Sequence, residues 1–91
     1  MSFNLYSVYD AIKHEFSLPF AAESEAEALR MFYVQMYSVQ MMRTCEKDYD
    51  LYQVGYYNTK TCELKPDAVL LVEGEKFIER YEKGEFKDVE D

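Results

Sequence analysis

Ninety-one residues, 48% of them hydrophobic, suffice for one small domain with a modest core and exclude a deep cleft between lobes. Eighteen acids against ten lysines and arginines give a net charge of −8, which excludes the basic stripe of a duplex-binding protein. Tryptophan is absent and tyrosines number nine, so the aromatic surface consists largely of rings that pack while their hydroxyls stay wet.

The first predicted element is a strand from Phe3 to Ile12, with Phe3, Leu5, Ser7 and Tyr9 on one face and Tyr6 and Val8 on the other. Ala11 to His14 reads as a loose turn. Glu15 to Phe20 then alternates, with Phe16, Leu18 and Phe20 pointing one way. Pro19 has no N–H to donate, which makes this second strand an edge of the hairpin. Ser24-Glu25-Ala26-Glu27 is a capping box, and Ala28, Leu29, Phe32, Met36 and Val39 follow at helical spacing. The spacing predicts a helix from Glu25 to about Met42, weakest around Tyr37-Ser38-Val39.

Leu51 to Tyr57 is the best strand of the chain, and Asn58 to Thr61 is its turn. Cys62-Glu63-Leu64 returns as a short strand that Pro66 stops, and Ala68 to Val72 is an apolar strand buried on both faces. Glu75 to Lys83 places Phe77, Ile78 and Tyr81 on one side of a short helix ended by Gly84. The order β-β-α-β-β-β-α predicts a single α+β domain over residues 1–84. Its sheet is largely antiparallel, one long helix packs on it, and a short C-terminal helix is followed by a frayed acidic tail, residues 85–91. The shared core is expected to include Phe16, Leu18, Phe20, Ala28, Phe32, Met36, Leu51 and Val54.

Chemistry-bearing motifs are sparse. His14 stands beside Glu15, but adjacent strand residues point to opposite faces, so they make no acid–base pair. Cys45 and Cys62 form no CxxC pair and read as free spectator thiols of a reducing cytoplasm. One histidine and two cysteines supply no zinc site, and three scattered glycines supply no phosphate loop, so neither metal nor cofactor is expected. No apolar run approaches a membrane span and no leader segment is evident. The chain reads as non-enzymatic.

Charge is uneven: residues 73–91 carry eight acids and four bases, whereas residues 30–65 carry five bases and four acids. A nucleic-acid surface would therefore lie mid-chain. Tyr52 and Tyr56, which alternation puts on one face, could stack unpaired bases while Arg30, Lys47 and Lys60 neutralise phosphates. The same tyrosines could equally pack the sheet. Met31, Met36, Met41 and Met42 offer a soft partner surface, although a stripe at this spacing more often forms core.

Several motifs occur in a recognisable order: Tyr6-Ser7-Val8-Tyr9-Asp10, then Pro19-Phe20, then Ala28-Leu29-Arg30-Met31-Phe32. Asp48-Tyr49-Asp50-Leu51-Tyr52-Gln53-Val54-Gly55 and the turn Asn58 to Thr61 complete the set. From Leu5 to about Pro66 the chain resembles the small nonstructural protein of gokushovirus-type microviruses, bacteriophages with single-stranded DNA genomes. It departs at Cys62, where that family usually has glycine, and its tail beyond Val72 is more helical and acidic. The resemblance implies a role in viral DNA replication, or in the switch to single-stranded genome synthesis, within the host bacterial cytoplasm. The expected partner is the phage replication initiator or a host replication protein, with self-association left open. Two alternatives stand beside it: a weak single-stranded DNA-binding module, and an acidic inhibitor that imitates nucleic acid at a basic host site.

Overall fold

The structure, a computed structural model, describes residues 2–89. Five strands make one antiparallel sheet: β1 (Ser2–Asp10), β2 (Glu15–Phe16), β3 (Phe20–Ala22), β4 (Tyr49–Asn58) and β5 (Leu64–Glu73). Three α-helices accompany it among the described residues: α1 (Glu25–Ser38), α2 (Gln40–Thr44) and α3 (Phe77–Glu82). The α+β class and the antiparallel sheet agree with the sequence reading. The strand order is β2-β1-β4-β5, with β3 also on β1, so β2 and β3 share the edge opposite β4.

The predicted second strand is therefore two short pieces. Ser17 interrupts it, because its hydroxyl bonds Ser7 Oγ at 3.1 Å and accepts from Val8 N at 3.0 Å. Ser17 N still donates to Val8 O at 2.8 Å, but Ser17 O is taken by the Ser7 hydroxyl and Val8 N by the Ser17 hydroxyl, so the ladder stops there, and Leu18 is 90% exposed. The loop before it forms because Asp10 Oδ1 accepts from the amides of Ile12 and Lys13, and His14 takes a left-handed φ of 57°.

Ser24 caps α1 by accepting from Glu27 N at 3.1 Å. The helix ends at Ser38, short of the expected Met42, because Val39 is extended (φ −90°, ψ 112°). Val39 N still donates to Gln35 O, and Val39 O accepts from Arg43 N, so one residue closes α1 and starts α2. A β-branched residue after Tyr37-Ser38 gives the helix little reason to continue there.

The third predicted strand is β4, and its turn forms as expected: Asn58 Oδ1 accepts from Lys60 N and Thr61 N. Beyond the turn, one ten-residue strand replaces the two that were expected. Pro66 lies inside β5 and is tolerated because β5 is an edge. The same position leaves Leu64 to Leu70 exposed; of Ala68 to Val72, expected to be buried on both faces, Val72 is buried and Leu71 half-buried.

The core lies between one sheet face and the helices. Tyr6, Val8, Leu51 and Val72 meet Leu29, Phe32, Met36, Met42 and Phe77 there, with Ala22 and Ala28 filling the gaps. Of the expected core, Ala28, Phe32, Met36 and Leu51 are buried and Phe20 packs at the margin. Phe16 and Leu18 are exposed, on the split edge just described, and Val54 is half-buried. In the segment 85–89, Phe86 packs on Phe77 at 5.3 Å under the Arg80 guanidinium, and Val89 packs against the core. Glu90 and Asp91 lie outside the described residues.

Candidate interaction surfaces

A bulge decides which tyrosines share a face. On β1, Leu5 pairs with Gly55 but Tyr6 pairs with Gln53, which leaves Val54 as an extra residue in β4. Alternation slips by one across it. Tyr52 pairs with Ser7 and Tyr57 with Phe3, on the face away from the helices, while Tyr56 pairs with Asn4 on the other face. Tyr52 and Tyr56, expected together, therefore point to opposite sides. The Tyr56 hydroxyl is used locally, donating to Ser2 Oγ at 2.9 Å.

The face away from the helices is aromatic and open. Tyr9, Phe16 and Tyr52 form a cluster, with ring centroids 4.8 Å apart for Tyr9–Phe16 and 5.1 Å for Phe16–Tyr52. The exposure of Phe16, unexpected in the sequence, is what completes this trio. Leu64 and Leu70 of β5, both exposed, extend the surface by pairing with Tyr57 and Tyr52. Asp50 and Glu73, paired with each other, give one end of it a negative charge. No lysine or arginine occupies a paired position of this face.

The predicted cations do not converge on it. Arg30 lies on the outside of α1 with its guanidinium 3.7 Å from Glu27. Lys47 sits in the 3-10 turn Glu46–Asp48 that leads into β4, and Lys60 in the turn that leaves it. The ten residues of β4 hold those two about 30 Å apart.

A second apolar surface lies on the helix layer. Met31, Val34 and Tyr37 recur every three residues on α1 and are exposed, and Val39 and Met41 continue the exposure past the break. Arg43 lies over the Tyr37 ring, 5.8 Å from its centroid. Of the four candidate methionines, Met36 and Met42 are core, whereas Met31 and Met41 face solvent. Helical spacing already put Met36 on the buried stripe, whereas the division of Met41 from Met42 depends on the helix break at Val39.

Behind this stripe, the aromatic contact between α1 and α3 is fixed by charge as well as packing. Tyr33 stacks on Tyr81 at 4.5 Å and donates its hydroxyl to Glu82 Oε2 at 2.6 Å. That hydrogen bond to the carboxylate pushes the Tyr33 phenol up to about 12. On the same helix, Lys83 holds the Glu79 carboxyl below its usual range.

The remaining candidates stay scattered. His14 is exposed in its turn, Cys45 is half-buried beside Thr44, and Cys62 is exposed with the Tyr57 hydroxyl 3.8 Å from its sulfur. A cavity of about 170 Å³ at the β2 edge is lined by Asp10, Lys13 and Glu15 above Val8, Phe16 and Met42. Among the described residues, no three histidines, cysteines or carboxylates come together in a way that could hold a metal ion. No helix among them is long and apolar enough to cross a membrane.

Comparison with protein families decides the setting. The model of the family described as Phage ORF5 protein matches residues 3–77, most of the chain. The chain belongs to this phage protein family. The Phage ORF5 match takes in the sheet from Phe3 onward, α1 and α2, and so all of the open aromatic face; it ends at the first residue of α3. No curated protein and no solved structure matches the chain.

Proposed function

We propose that this phage protein is a non-enzymatic regulator of viral DNA synthesis that works through protein contacts, in a microvirus of the gokushovirus type. The observation that carries the reading is the exposed Met31–Val34–Tyr37–Val39–Met41 surface, set apart from any cluster of cations. Flexible methionine and tyrosine side chains adapt to a protein partner, and neutral apolar area is gained by excluding water rather than by releasing counterions. The partner is the phage replication initiator or a host replication protein, in the host cytoplasm. The family membership and the order of motifs from Tyr6 to Thr61 support the phage setting. Neither the reaction type nor a cofactor enters this reading.

A single-stranded DNA-binding module is the weaker alternative, since Tyr52 and Tyr56 face opposite sides and Arg30, Lys47 and Lys60 lie apart. Affinity capture of the tagged protein from infected cells, with and without nuclease, tests the first reading. Recovery of a replication protein that resists nuclease and is lost in Met41→Glu is the expected result. Recovery that depends wholly on intact DNA would overturn it.

A further inference from the structure

We propose that the open sheet face seats the same face of a second copy, giving a two-fold, face-to-face dimer. This rests on the reading that the chain acts through protein contacts, and it names the occupant of the surface that the α1–α2 stripe leaves free. Three observations lead to it.

The first is chemistry. Leu5, Ser7, Tyr52, Gly55 and Leu70 lie at the middle of the face, and its charged paired positions are two carboxylates, Asp50 and Glu73, in the end row that they share with Tyr9 and Phe16. A polyanion or an acidic peptide would need cations on it, and none is present at its paired positions. A strongly basic partner would need acids across it, and they are confined to one end. An uncharged centre with charge only at the margin has the composition of a homodimer interface.

The second is size. Strands of nine and ten residues in a sheet four strands wide span about 30 Å by about 19 Å. That footprint is on the order of 550 Å² before side-chain relief is added, close to the roughly 800 Å² of accessible surface that each partner of a stable complex covers.

The third is symmetry. A two-fold axis running across the strands sets the Asp50–Glu73 end of each copy over the Tyr57–Leu64 end of the other. An axis along the strands would bring all four carboxylates to the same end of the dimer. The first arrangement puts them at opposite ends, about 20–25 Å apart along the strands, and superposes β1 on β1 and β5 on β5, as in an aligned sheet sandwich. It leaves the helix layer, with Met31 and Met41, on the outside of the dimer.

Sedimentation equilibrium of the full chain, from low to high micromolar, tests the arrangement. The expected mass rises from 10.8 kDa to twice that value. Leu70→Glu and, separately, Phe16→Glu should each weaken self-association at least tenfold with unchanged circular dichroism; the pair keeps the test decisive should one fail to fold. Met41→Glu should leave association unchanged. A monomer at every concentration overturns the proposal. So does a dimer that persists in both face variants but is lost in Val69→Pro, which would place the contact at the β5 edge instead. Capture of a replication protein by monomeric Leu70→Glu would leave the proposed function standing without the dimer, so the two can fail separately.

Discussion

At the scale of single residues, two positions hold side chains at odds with their surroundings. The Tyr6 hydroxyl is buried and makes no hydrogen bond of good geometry, the Asn4 side chain being the polar group beside it; burial pushes its phenol up, and Asn4 pulls it down by less. An unmet buried hydroxyl costs about 1–3 kcal/mol, so Tyr6→Phe should leave stability unchanged or raise it by about 1 kcal/mol in urea unfolding. A loss larger than that would mean the hydroxyl has a partner. Cys62 has φ 64°, the left-handed conformation that glycine adopts without strain. The glycine usual in the resembling family is thus the residue this turn geometry favours, and cysteine occupies the same conformation under strain. Cys62→Gly should stabilise the protein by about 0.5–1 kcal/mol in the same assay. Neither feature was legible beforehand: residue type revealed a departure at Cys62, but φ and burial come only from the folded chain.

At the scale of elements, the sequence was legible where one local signal dominated. The Ser24 cap, the Ala28–Phe32–Met36 stripe and the Asn58 turn each rest on short-range chemistry, and each forms as read. Phe32, fully buried against Phe77, should cost about 3–5 kcal/mol when replaced by alanine. Near wild-type thermal unfolding of that variant would contradict the packing. Long-range pairing was not legible. Val54 is an ordinary strand residue in sequence, and only its register against β1 makes it a bulge that parts Tyr52 from Tyr56. The apolar run Val69 to Val72 looks like a central strand, yet topology puts it at an edge. The α1–α3 contact carries a pH dependence of known sign. The Tyr33 phenol is held protonated by Glu82, its folded value standing at about 12 against an ordinary 10.0. Its contribution is therefore complete below pH 10.0 and is lost as pH rises toward 12. Thermal unfolding followed across that range should fall more steeply for the wild type than for Tyr33→Phe, and parallel curves would show that the bond contributes nothing.

At the scale of the whole molecule, one sheet carries helices on one side and an uncovered aromatic face on the other. Opposed apolar surfaces in a chain of charge −8 argue for contacts that exclude water rather than neutralise phosphate. The candidate nucleic-acid site was legible as residue types but not as a place, because its tyrosines are parted by a bulge and its cations by the length of β4. Fluorescence anisotropy with a labelled single-stranded oligonucleotide, at low and at physiological salt, tests the central claim most directly. The account predicts weak binding that disappears at physiological salt and is unchanged by Tyr52→Ala. Tight binding that survives physiological salt and is lost in Tyr52→Ala would contradict it and make the open face a base-stacking platform.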